Sequence, residues 1–164
     1  SGLAAAHAKG LIHRDIKPHN IILEEPHQRA RIIDFGLALE PLGESPSLTA
    51  DGMIVGTPAY LAPERIGNDP VDARTDLFGL GVLLYELISG RLPYEGDSTL
   101  TMLAAIARGA PLPLARAAPA VPRDVCDFVM RLIAHRPEDR PEDAETVETA
   151  LAALEHQYAE AAPT

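Results

Sequence analysis

Cysteine is almost absent. Cys126 is the single one among 164 residues, so no intrachain disulfide can form, and a reduced compartment fits. Positive charge is scarce too. Lys and Arg number 14 against 24 Asp and Glu, for a net charge of −10. Phosphate backbones and anionic membranes need clustered cations, so neither nucleic acid nor such a membrane is expected as the main partner. Long apolar runs are missing. The longest lies within DLFGLGVLLYELISG, residues 76–90, and Glu86 interrupts it. That is short of the ~20 residues a bilayer demands, so it reads as a core helix. No basic leader precedes Leu3, and His7 and Lys9 break the opening apolar stretch, so no signal peptide is expected. A cytoplasmic location follows as the expectation, with any membrane anchor of a longer parent lying outside these residues. The chain opens without methionine, which fits both initiator removal and a longer parent. The histidines show no metal-ligand spacing; His7, His27, His135 and His156 are expected at the surface or in loops.

What is present is an ordinary globular balance, 46% apolar and 23% charged. A chain of this length buries roughly 70% of its unfolded surface. LAAAHAK, residues 3–9, reads as the last turns of a helix stopped by Gly10. NIILEE and ARIID are short β-rich runs, joined by a polar stretch as a hairpin. One hairpin cannot stand as an independent sheet, so it must lie on helices. Residues 36–63 are rich in Gly, Pro, Ser and Thr and read as a long functional loop. Four helices are expected from residue 72 onward. The first is apolar nearly all round and belongs at the centre of the core, closed by Gly90. The second has Asp97 or Ser98 as N-cap and Gly109 as its stop. PLPLARAAPAVP reads as a proline-rich connection. The third helix aligns Val125, Phe128, Val129, Leu132 and Ile133, with Cys126 in the core. The fourth aligns Val147, Leu151, Leu154 and Tyr158.

The chemistry concentrates in HRDIKPHNIIL, residues 13–23, where a dense polar cluster runs straight into a strand. Phosphoryl transfer asks a protein to orient a hydroxyl, hold Mg²⁺ and neutralise charge on the moving phosphate. Asp15 can accept the hydroxyl proton. Lys17 can reach the phosphate. The amide oxygen of Asn20 is a hard ligand suited to Mg²⁺. Asp34, arriving after the second strand in the triplet DFG, can complete the metal site. As isolated aspartates, Asp15 and Asp34 would read as caps or turn residues, but that does not explain the full set.

HRDIKPHN resembles the catalytic loop of eukaryotic-type protein kinases, and DFG resembles their magnesium-binding motif. GTPAYLAPE, residues 56–64, resembles the end of their activation segment. DLFGLGVLLYELISGRLPY resembles the buried helix of their large lobe, and RPEDRP the arginine-bearing turn before the last helix. KPHN points to the serine/threonine class, and the short Ala- and Pro-rich connections look like the bacterial branch. The resemblance implies a mainly α fold with a small β-hairpin: the C-terminal lobe of a protein kinase over residues 1–160, with 161–164 beginning a linker. It implies ATP and Mg²⁺ as cofactors and a protein hydroxyl as substrate. Asp15 and Lys17 would be catalytic, with Thr57 bridging them; Asn20 and Asp34 would hold the metal. His13 would stack with Phe35, beside Arg14 and Gly36. Asp76 would bond the catalytic-loop backbone, and Glu64 would pair with Arg140.

The sequence also departs from the family pattern. The glycine-rich phosphate loop and the strand lysine paired to a helix glutamate are not among these residues. The N-terminal lobe is thus expected as a missing partner, the chain alone is expected to be inactive, and apolar surface around Ile21–Leu23 and Phe35 is expected to be exposed. The alternative is a non-catalytic kinase-like scaffold. Where relatives often carry Thr-x-Thr, this chain has Thr49-Ala50-Asp51; Asp51 reads first as a solvated loop aspartate, and in the alternative as a weak stand-in for phosphothreonine with Arg14 as its cationic partner. Ser45, Ser47 and Thr49 are candidate phosphorylation sites. His19 is neutral where kinases that prefer arginine near the target have an acid.

Overall fold

The structure is a computed structural model and describes residues 2–25, 29–34, 58–67 and 69–161. Helix α1, Gly2–His7, leads into an irregular loop and a single 3₁₀ turn at Pro18–Asn20. Strands β1, Ile21–Glu24, and β2, Arg29–Ile32, pair antiparallel with Ile21 opposite Ile32 and Glu24 opposite Arg29. Six helices follow: α2 Pro63–Gly67, α3 Arg74–Ser89, α4 Thr99–Arg108, α5 Leu114–Ala117, α6 Arg123–Leu132 and α7 Ala144–Ala161. Among the described residues the chain is mainly helical with one small hairpin, in the expected order.

Helix α3 is the axis. It has an acidic Asp76 in its first turn and ends at Gly90, whose φ of 67° only glycine adopts freely. Phe78, Val82 and Tyr85 face one core cluster with Tyr94, Ile106, Leu114, Cys126, Val129 and Ile133. Leu77 faces a second with Leu3, Ile16, Leu132, Ala144 and Val147. Each such side chain contributes roughly 1.5–3 kcal/mol on burial. Ile32 packs on the second cluster, so the hairpin does rest on helices. Ile22 and Leu23, on opposite faces of β1, are left 47% and 71% exposed. Ser98 caps α4: its Oγ accepts from Thr101 N–H at 3.2 Å, and Ser98 N–H donates to Thr101 Oγ1 at 2.9 Å.

Some expectations need correction. Pro63 already opens α2, because proline suits a helix's first turn, so the long loop ends earlier than residue 63. Residues 35–57 lie outside the described part. The proline-rich connection contains a helical turn, α5, anchored by the fully buried Leu114. The apolar face of α7 is not packed throughout. Val147 is buried, yet Leu151 is 38% exposed. Further along, α7 is tied to α6 by polar bonds instead: Tyr158 Oη and Gln157 Nε2 donate to Asp124 at 2.6 and 3.0 Å.

Two glycines set how closely α3 approaches its neighbours. A Cβ on Gly79 would lie 3.0 Å from the Ile16 carbonyl oxygen, so α3 presses directly on the loop that carries Asp15. A Cβ on Gly81 would lie 2.6 Å from Leu132 Cβ and 2.7 Å from Ile133 Cγ2. Gly81→Ala therefore sets overpacking of about 1–3 kcal/mol against a helix-propensity gain of about 1 kcal/mol. The expected result is net destabilisation in urea titrations, opposite in sign to the same change on a solvated helix face.

Candidate functional site

The loop before β1 is held by side chains rather than by a ladder. The carboxylate of Asp76, 1% exposed, lies beneath it. Its Oδ2 accepts from His13 N–H at 2.8 Å and its Oδ1 from Arg14 N–H at 2.7 Å. Two consecutive amides converge on one carboxylate, and Arg14, the second of them, is left-handed at φ 67°. A non-glycine residue in that region is costly and persists only when its surroundings hold it there. His13 is fully buried. Its Nε2 donates to the Ile33 carbonyl at 3.0 Å, and its Nδ1 accepts from Asp15 N–H at 3.2 Å. The first bond joins the loop to the residue before Asp34.

At the top of the loop, Asp15 Oδ2 accepts from Lys17 Nζ at 2.6 Å and from Asn20 Nδ2 at 2.9 Å. Asn20 Nδ2 also donates to the Asp15 carbonyl at 2.7 Å. Both bonds spend the amide nitrogen, which leaves Asn20 Oδ1 as a hard oxygen for a cation. The Asp15 and Lys17 side chains are 29% and 26% exposed, accessible to a substrate yet fixed in place. Asn20's carbonyl accepts from Ile33 N–H at 2.9 Å, extending the hairpin by one rung. Asp34 follows immediately in the left-handed region, at φ 61°, which aspartate tolerates better than most residues. Asp15, Asn20 and Asp34 are thereby gathered at one end of the hairpin. This donor set of carboxylate and amide oxygens suits a divalent cation and suits no soft metal. Among the described residues no group of three His, Cys, Asp or Glu forms a metal cage.

Away from this end, Arg140 Nη1 and Nη2 bond Glu64 Oε1 and Oε2, each at 2.8 Å. Thr75 Oγ1 donates to Glu64 Oε1 at 2.7 Å. Arg140 also bonds the carbonyls of Arg74, Ala134 and His135, and its guanidinium lies 5.0 Å over the Phe78 ring. Burial alone would raise the Glu64 carboxyl. The Arg140 hydrogen bonds and charge, with help from its own backbone and Thr75, outweigh that and hold it below its ordinary value. Tyr60 ties the segment before α2 to α3 by donating to Glu86, and burial and then that bond push its hydroxyl up.

Of the residues singled out in the sequence, the structure brings together His13, Arg14, Asp15, Lys17, Asn20 and Asp76 in one network. It places Asp34 beside them and joins Glu64 to Arg140 elsewhere. Thr57, Phe35, Gly36, Ser45, Ser47, Thr49 and Asp51 lie outside the described residues, as does His27. Three partners went unforeseen. His7 was expected at the surface, but its side chain is 7% exposed and its Nε2 donates to Asp76 Oδ2 at 2.8 Å. The signal was there: His7 shares a helix face with the buried Leu3, four residues before it. Thr75, which bonds Glu64, had no signal beyond standing next to Asp76. Arg65 Nη1 donates to the Arg14 carbonyl at 2.5 Å, across 51 residues that no periodicity links.

A sequence profile of the protein kinase domain matches residues 1–159. The chain is 45% identical over 158 residues to the serine/threonine-protein kinase Pkn2 of Myxococcus xanthus, covering 93% of this chain and 19% of that protein. It is 39% identical over 159 residues to the serine/threonine-protein kinase PknL of Mycobacterium tuberculosis, covering 96% of this chain and 39% of that one. This chain therefore spans well under half the length of these relatives. Among solved structures it superimposes on Rad53 1–466 in complex with AMP-PNP with a TM-score of 0.69 at 28% identity, covering 89% of this chain and 35% of that one.

The buried pair yields a two-part expectation. Glu64→Gln or Arg140→Met, each stranding one partner, should cost about 3–5 kcal/mol in chemical denaturation. Glu64's folded carboxyl titrates below its unfolded one, so its contribution is present above the unfolded value of 4.5 and lost as pH falls through the folded value. Stability curves measured from pH 7 down to pH 3 should fall more steeply for the parent chain than for Glu64→Gln.

Proposed function

The chain belongs to the protein kinase family, and we propose that it forms the catalytic half of a serine/threonine protein kinase. The parent enzyme would transfer the ATP γ-phosphate to serine or threonine hydroxyls of proteins. In this reading Asp15 takes the proton of the substrate hydroxyl. Its carboxylate needs a fixed direction to do so, and Lys17 and Asn20 grip one of its oxygens, while the other shows no bond among the described residues. Lys17 meets the charge of the incoming phosphate, and Thr57 would bridge Lys17 to Asp15. Asn20 Oδ1 and Asp34 would hold Mg²⁺, which with bound ATP supplies charge neutralisation at the transferred group. The single observation that carries this reading is the gathering of Asp15, Asn20 and Asp34 at one end of the hairpin.

Four observations extend the proposal. Ile22 and Leu23, 47% and 71% exposed, offer an apolar floor to a nucleotide and to a small lobe covering it. No glycine-rich phosphate loop occurs in these 164 residues, so we expect no turnover from them alone. The charge of −10 favours a protein substrate over nucleic acid. No described helix is long and apolar enough to cross a membrane, and we place the catalytic region in the cytoplasm. Ser45, Ser47 and Thr49 remain our candidates for regulatory phosphorylation.

Those same exposed residues also suit the rival reading, a kinase-like scaffold with a docking face and no nucleotide. A thermal-shift titration separates the two. At ten times the dissociation constant, Mg·ATP should stabilise the chain by about 1.4 kcal/mol, or roughly 3–6 °C. Asp34→Asn, which keeps the left-handed backbone acceptable, should abolish the shift. No shift at millimolar Mg·ATP in the parent chain would favour the scaffold.

A further inference from the structure

We infer that Arg65 is a positioning residue for Asp15, acting through the peptide plane that joins Arg14 to Asp15. This deepens the kinase reading and rests on it for the role of Asp15. The plane has two polar ends. Its oxygen, the Arg14 carbonyl, accepts from Arg65 Nη1 at 2.5 Å. Its nitrogen, Asp15 N–H, donates to His13 Nδ1 at 3.2 Å. A peptide unit gripped at both ends cannot rotate, so the direction in which Asp15 leaves the backbone is set before its side chain meets Lys17 or Asn20.

The grip is needed because the backbone there is strained. Arg14 sits at φ 67°, where an L side chain crowds the carbonyl. The Asp76 carboxylate holds the near side by accepting the amides of His13 and Arg14. That clamp ends at the Arg14 amide. On the far side, Arg65 holds the Arg14 carbonyl.

The hold is also anchored. Arg65 is half-buried on α2, one residue after Glu64, which Arg140 and Thr75 lock in place. A guanidinium on a loose helix would do little. On this one it transmits the position of α2 to the catalytic loop. Helix α2 therefore has a mechanical route to Asp15 that does not pass through substrate or nucleotide.

Amide hydrogen exchange on the full chain, read by NMR without nucleotide, tests this. Arg65→Met keeps the stem and removes the donors; Arg65→Lys restores one donor. We expect Asp15 and Arg14 amides to exchange about ten-fold faster in Arg65→Met, while Val82 and Tyr85 in α3 keep their protection. Arg65→Lys should recover part of the loss. Unchanged exchange at Asp15 and Arg14 in Arg65→Met overturns the inference. So does a parallel loss at Val82 and Tyr85, which would mark Arg65 as a general stabiliser, or no recovery in Arg65→Lys. Because no nucleotide is present, these outcomes stand apart from the kinase reading: a chain that passes here yet shows no Mg·ATP shift would sink that reading and leave Arg65's role intact.

Discussion

The buried carboxylate of Asp76 is the constraint on which the site depends. It rises from the first turn of the most buried helix and meets two successive loop amides and the His7 ring. Burying a charge this deeply costs several kcal/mol unless donors replace its lost water. Three donors do so here, all within 2.8 Å. The arrangement is reciprocal. The loop amides would be orphaned without the carboxylate, and the carboxylate would be untenable without the loop. A strained, polar loop thus becomes as well determined as a core strand, which is the preorganisation that the role proposed for Asp15 requires.

A second buried charge does a comparable job at longer range. Glu64 and Arg140 stand 76 residues apart in sequence, and their bidentate contact staples α2 to the turn before α7. Such a pair adds little stability against a well-packed apolar substitute. Its value is directional. The rotation of α2 is set by the need to bring Glu64 to both guanidinium nitrogens and to Thr75. That rotation also determines where the next side chain along the helix points.

Sequence pattern carried most of the fold, for identifiable reasons. The 3.6-residue spacing of apolar side chains in α6, the all-round apolarity of α3 and the glycines after α3 and α4 are local signals, and they placed those elements. The dense polar run at residues 13–20 announced the site because such a run beside a strand has no structural excuse. What pattern could not reach was set by single distant contacts. Leu151 has the right spacing to be buried, but burial depends on whether another element lies across it. His7 shares the Leu3 face, which was readable, but the carboxylate that recruits it is 69 residues away and was not. Arg65 drew no reading at all, because its partner is a carbonyl, which leaves no trace in the letters.

The hairpin carries a liability of its own. Two strands leave each other's outer backbone edge unpaired among the described residues, a template for strand addition by a second chain. The edges are unequally guarded. On β2, Arg29 and Arg31 repel a like neighbour, whereas β1 offers Ile21, Ile22 and Leu23 before its first charge at Glu24. Whatever covers that uncharged rim in the cell also acts as a solubility device. Left bare at high concentration, β1 is where this acidic and otherwise well-mannered chain would begin to aggregate.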